Sequence, residues 1–146
     1  VMDEDQFQEY SRTIHRLFVA MRQSRTRLAD AGSPALSLSQ LAVLEALEDT
    51  PALSVGELAA RAAISSPTTT RMLKTLEEQG VVRRERATGN ERRVDVSLTE
   101  LGRDLVISQR ERIQERQRAG FATLTERERE EALAVIRKLI PMIEGT

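Results

Sequence analysis

Apolar side chains recur from Phe7 onward at alternating steps of three and four, through Tyr10, Ile14, Leu17, Met21, the small Ser24, and Leu28, with Phe18 widening the stripe. This is a heptad seam. It predicts one long helix from near Asp5 to Asp30, about 39 Å at 1.5 Å per residue, stopped by Gly32-Ser33-Pro34. Two short helices follow, each opened by a capping box: Ser37 with Gln40, then Ser54 with Glu57 after the breaker Thr50-Pro51. Leu41, Val43, Leu44 and Leu47 form the apolar face of the first, and Val55, Leu58, Ala59 and Ala62 that of the second. A third helix, about Pro67 to Gln79, has Ser66 as its N-cap, Pro67 at its first position and Gly80 at its C-terminal cap.

Beyond Gly80 the period drops to two. Val94, Val96 and Leu98 alternate with Arg93, Asp95 and Ser97 as in a half-buried strand, Val81 to Arg86 is its partner, and Ala87-Thr88-Gly89-Asn90-Glu91 holds the turn formers of a hairpin tip. Thr99 then caps a helix to about Ala119, polar from Ser108 to Arg118 except at Ile113. The last helix starts at the capping box Thr125 to Glu128 and carries Leu133, Ile136, Leu139, Ile140 and Ile143, with Pro141 kinking its end. The pattern is therefore mainly α with a small β-hairpin.

Composition narrows the class. The 146 residues, 40% hydrophobic and 31% charged, suit one globular domain. No apolar run approaches the roughly 20 residues of a membrane span, and Asp3, Glu4 and Asp5 replace the basic start of a signal peptide, so a cytoplasmic location away from membranes is expected. With no cysteine and only His15, disulfides, thiolate chemistry and a histidine metal cluster are excluded, and neither metal nor cofactor is expected. The net charge of −1 conceals a local excess: from Arg61 to Arg93 eight Lys and Arg stand against four Glu. A basic middle in a near-neutral chain suits a face that meets phosphate, and it equally suits a solvated surface.

The faces of the third helix sharpen the choice. Val55 to Ala62 and Pro67 to Gln79, joined by a tight turn, form a helix-turn-helix whose second helix would enter the major groove of double-stranded DNA. Thr69, Met72, Leu73 and Leu76 share the core side. Pro67, Arg71, Lys74 and Glu78 lie opposite, Thr68 and Thr70 on the flanks, and Ser65 and Ser66 at the helix start. Hydroxyls reach phosphates or bases at close approach, and Arg grips guanine bidentately. The hairpin adds Arg86, Arg92 and Arg93, suited to a minor groove whose negative potential attracts Arg. Capping hydroxyls, solubilising cations and a charge-protected edge hairpin explain the same residues one at a time. Helix-turn-helix, Gly80 turn and basic wing in this order are more specific than any part.

In that order the residues resemble the MarR (multiple antibiotic resistance regulator) family over roughly Leu38 to Gly102. The resemblance lies in Leu38-Ser39-Gln40-Leu41-Ala42-Val43-Leu44, in Val55-Gly56-Glu57-Leu58-Ala59, in Thr70 to Arg84, and in Glu91-Arg92-Arg93 followed by Val94 to Gly102. It implies a single winged helix-turn-helix domain, about 37–98 forming the DNA-binding lobe and about 5–30 and 99–146 the helices of a homodimer. It further implies a repressor of genes near its own, reading a pseudo-palindromic operator and released by a small, often aromatic or phenolic effector. DNA-binding residues implied on this basis are Ser65, Ser66, Pro67, Thr68, Thr70, Arg71, Lys74, Arg86, Arg92 and Arg93. One departure stands out: the family commonly has Asp two residues before the wing arginine Arg92, and this chain has the neutral Asn90. An enzyme lacks support, since there is no phosphate loop and no nucleophile–base pattern. A winged helix used for protein contacts remains the alternative, separable by the effect of Arg71 and Arg92 on DNA affinity.

Overall fold

A computed structural model of the chain describes residues 1–27 and 36–145; Leu28, Asp30, the Gly32-Ser33-Pro34 breaker and the side chain of Ser24 lie outside the described residues. The elements are α1 (Glu4–Arg27), α2 (Leu38–Asp49), β1 (Leu53–Ser54), α3 (Val55–Ala62), α4 (Ser66–Glu78), β2 (Val82–Ala87), β3 (Asn90–Leu98), α5 (Glu100–Ala122) and α6 (Glu126–Glu144). They fall into two compact units, Val1–Arg110 and Glu111–Thr146.

In the first unit, α2 packs on α3, α3 on α4, and α4 on β2. Both expected capping boxes close: Ser37 Oγ accepts from Gln40 N–H (3.1 Å) while Gln40 Oε1 accepts from Ser37 N–H (2.9 Å), and Ser54 and Glu57 reciprocate at 3.2 and 3.0 Å. The third helix starts one residue earlier than the pattern predicts, with Ser65 as N-cap and Pro67 inside the first turn. Either serine can cap. The turn selects Ser65, because Ala63 adopts the left-handed conformation (φ +54°) and leaves only Ile64 before the cap. Pro67 is harmless there, since first-turn N–H groups have no partner within the helix.

α4 ends in a Schellman turn: the Val81 N–H donates to Leu76 O (2.9 Å) and the Gly80 N–H to Glu77 O (3.0 Å), with Gly80 at φ +75°. That turn delivers the chain into the sheet. The sheet is antiparallel in order β1-β3-β2, so the predicted hairpin has a third strand, β1, pairing Leu53 with Val96 and Ser54 with Asp95. Two residues show no alternation, which is why β1 left no trace in the hydrophobic pattern. The core beneath combines Leu41, Val43, Leu44 and Leu47 of α2, Leu58 and Ala59 of α3, Leu73 and Leu76 of α4, and Val82, Val96 and Leu98 of the sheet. Each buried Leu or Val contributes about 1.5–3 kcal/mol over its exposed state. Buried Thr69 donates its hydroxyl to Ser65 O (2.9 Å), so no polar atom there is orphaned.

Thr99 joins α5 to the end of α4. Its Oγ1 accepts from Gly102 N–H (3.0 Å) and donates to Gly80 O (2.6 Å). α5 passes the predicted stop near Ala119 and runs through Gly120 to Ala122, because one glycine costs a helix only about 1 kcal/mol. In the second unit the Thr125–Glu128 capping box opens α6, and Arg129 donates to Phe121 O (3.1 Å) with its guanidinium 4.7 Å from the Phe121 ring centre. Pro141 lies inside α6, which continues to Glu144. None of the described helices is long and apolar enough to cross a membrane.

Candidate nucleic-acid interface

The eight cations between Arg61 and Arg93 separate once their partners are traced. Arg84 is bound to Glu77 through Nε (3.2 Å) and a terminal nitrogen (2.9 Å), tying β2 to the last turn of α4. Arg61 donates to Thr50 Oγ1 (2.8 Å), and Arg83 lies 3.8 Å from Glu85. Arg93 is engaged on two sides: Nε donates to Asp95 Oδ1 (2.7 Å), and its two terminal nitrogens donate to the Glu57 carboxylate (3.2 Å each). That leaves Arg71 and Lys74 on α4 and Arg86 and Arg92 on the wing. All four are exposed, and none has an ion pair among the described residues.

The hydroxyls at the start of α4 carry distinct hydrogen-bonding capacities. Ser65 Oγ accepts from Thr68 N–H (3.4 Å) and donates to Thr68 Oγ1 (2.8 Å), so the Thr68 hydroxyl keeps its own proton for another acceptor. Thr70 Oγ1 donates to Ser66 O (3.0 Å), so toward solvent it can only accept. Ser66, Pro67 and Thr70 are exposed and Thr68 is half-buried. The Ser66 N–H at the helix start, the exposed hydroxyls of Ser66 and Thr70, and two cations within the next two turns make a surface suited to an anionic, hydrogen-bonding polymer.

The wing is irregular where it carries Arg92. Arg86 pairs with Val94 and Ala87 with Asn90, so Glu91, Arg92 and Arg93 are inserted on β3 with no counterpart on β2. Gly89, at φ +81°, turns the tip. Asn90 Oδ1 accepts from the main-chain N–H of Arg92 (3.1 Å). The amide at this position therefore shapes the backbone of the bulge.

Two acidic side chains in this lobe are held ionised. The Ser54 N–H, followed by the Arg93 guanidinium, keeps the Glu57 carboxyl below its ordinary value of 4.5, and Arg84 does the same for Glu77. Arg93 is raised in turn, first by Asp95 and then by Glu57. Sequence reasoning did not find the Glu57–Arg93–Asp95 cluster, although Arg93 and Asp95 sit two apart on one strand, a spacing that places them on one face.

Residues 36–94 match the model of the MarR family. An uncharacterised HTH-type transcriptional regulator of Mycobacterium bovis is 38% identical over 111 residues, covering 75% of this chain and 77% of that protein. The HTH-type transcriptional regulator SarZ of Staphylococcus epidermidis is 41% identical over 63 residues, 43% of each chain. Among solved structures, Streptococcus pneumoniae FabT in complex with DNA superposes with a TM-score of 0.78 at 17% identity, over 98% of this chain and 99% of that one. The S. aureus MepR–DNA complex gives 0.71 at 22% identity, over 92% and 97%. The fold is that of winged-helix regulators, and by its match to the family model and its similarity over most of the M. bovis protein the chain belongs to the MarR family of transcriptional regulators.

Proposed function

We propose that this regulator binds a pseudo-palindromic operator as a homodimer and represses transcription, with α4 in the major groove and the wing over the adjacent minor groove. The observation that carries the reading is where the uncommitted cations of the basic segment lie: of the eight between Arg61 and Arg93, the four whose side chains have no partner among the described residues, Arg71, Lys74, Arg86 and Arg92, lie on α4 and on the wing. Arg71 reads a base edge, and Lys74 meets phosphate. Ser65, Ser66, Pro67, Thr68 and Thr70 bring the helix start against the backbone, and Arg86 and Arg92 enter the minor groove. Half-sites lie about one helical turn, roughly 34 Å, apart. The DNA complexes of FabT and MepR support the duplex as partner.

Dimerisation is supported by apolar side chains left in solvent on the terminal helices. Leu17 of α1 is 53% exposed, Phe18 44%, and Ile136 and Ile143 of α6 53% and 63%. Release by a small aromatic or phenolic effector is the part of the reading carried by family membership.

The test is fluorescence anisotropy with the duplex upstream of the protein's own coding sequence and a scrambled duplex, at two salt concentrations. Preference for the native duplex, with affinity falling as salt rises, is expected. Equal binding to both would remove the operator reading, and no binding at low salt would leave the winged helix as a protein-contact module.

A further inference from the structure

We propose that Arg93 is the positioning residue of the wing: it locks the base of the β3 bulge to the start of α3 and so aims Arg92, without touching DNA itself. The proposal rests on the DNA-binding reading above and adds the device by which the minor-groove arginine is held. It starts from a gap in the strand ladder. Between the paired residues Asn90 and Val94, three residues of β3 have no partner on β2, so β-sheet pairing alone does not fix where Arg92 points.

Arg93 closes that gap. Its Nε is bound to Asp95 and both terminal nitrogens to Glu57. Glu57 Oε2 also accepts from the Ser54 N–H (3.0 Å), and Ser54 pairs with Asp95 across β1 and β3. Bulge, sheet and the first turn of α3 are thereby joined in one ring, and α3 packs on α4. The wing and the recognition helix share a mount. The cluster holds one cation and two carboxylates, a net negative group that offers a phosphate no attraction, and reaching DNA would cost Arg93 both partners.

The experiment compares Arg93→Gln, Glu57→Gln and the double variant with wild type in two assays. Amide hydrogen exchange without DNA should quicken from Ala87 to Val94 in both single variants. Affinity for the duplex upstream of the coding sequence should fall by roughly two- to tenfold in each single variant and no further in the double, with the slope of log affinity against log salt unchanged. A phosphate contact would give the opposite signature: a slope shallower by about one in Arg93→Gln, and tighter binding in Glu57→Gln as the guanidinium is released. That result, or unchanged wing exchange in Arg93→Gln, overturns the proposal. Arg71→Ala serves as the control, because loss of binding there with an intact clamp signature separates the DNA reading from the role of Arg93. Should wild type itself fail to bind at low salt, the DNA reading fails, and the exchange data still decide whether Arg93 holds the wing.

Discussion

A Cβ added to Gly102 would stand 2.1 Å from the carbonyl oxygen of Val81. The first turn of α5 therefore lies directly on the backbone that follows the Gly80 turn, and Thr99 holds it there through Gly80 O and Gly102 N–H. Backbone cannot give way as a flexible side chain would. Gly102→Ala should destabilise the protein by about 1–3 kcal/mol or more through overpacking, read as a lower midpoint of urea unfolding. An unchanged midpoint would mean that α5 shifts freely over Val81.

Arg71 and Lys74 should part company in their salt response. Arg71→Ala is expected to weaken binding to the native duplex by about 1–3 kcal/mol and to relax preference at one base pair, as loss of a bidentate base contact does. Lys74→Ala should weaken native and scrambled duplexes alike and reduce the salt slope by about one. Anisotropy titrations at several salt concentrations distinguish the two. If Arg71→Ala lowers both affinities equally, Arg71 belongs with the phosphate contacts.

Asn90 bears on the bulge through its side-chain oxygen, which accepts from the Arg92 main-chain N–H. Aspartate offers the same acceptor with a charge. Asn90→Asp should keep the turn and the DNA affinity, whereas Asn90→Ala should loosen the tip and cost about 0.5–1.5 kcal/mol of binding, the net worth of one hydrogen bond. Hydrogen exchange at Arg92, faster in the alanine variant alone, is the direct measure. Equal exchange in all three proteins would detach Asn90 from the wing's shape.

Acid should loosen the lobe through Glu57 and Glu77. Both carboxyls are held below their ordinary value of 4.5 in the folded protein, by the Ser54 N–H and Arg93 in one case and by Arg84 in the other. Each therefore binds its proton more readily when unfolded. Their stabilisation is complete above pH 4.5 and is lost as pH falls through the lowered folded-state values. Urea unfolding from pH 7 down to pH 3 should show this decline, with a smaller drop in Glu57→Gln. A variant that tracks wild type throughout would show that Glu57 is not linked to stability.

Local chemistry was the readable part of this chain. Ser37 with Gln40, Ser54 with Glu57 and Thr125 with Glu128 each cap within four residues, so spacing alone located three helix starts. The exposed face of α4 was legible for the same reason, since a 100° turn per residue separates Arg71 and Lys74 from Leu73 and Leu76. What escaped depended on contacts between distant positions or on elements too short to repeat. β1 is two residues long, and Ser65 and Ser66 are equally good caps until the turn at Ala63 chooses between them. A tally of cations likewise cannot show that Arg93 faces Glu57, 36 residues away, while Arg92 beside it faces solvent.

The apolar stripes of α1 and α6 yield the last prediction. Leu17 is 53% exposed and Ile140 46%, so replacing either by Glu removes little that is buried within one chain. Burial against a second chain changes that balance, because a carboxylate at the centre of an apolar interface lacks both water and a partner. Leu17→Glu and Ile140→Glu should each cost the dimer about 2 kcal/mol or more, comparable to truncating an interface hot spot. Light scattering after size exclusion should then report monomer at concentrations where wild type is dimer, with helix content by circular dichroism retained. Operator affinity should fall with the dimer, since one lobe alone engages one half-site. A variant that remains dimeric would place the interface on another surface, and a wild-type monomer at high concentration would end the dimer reading outright.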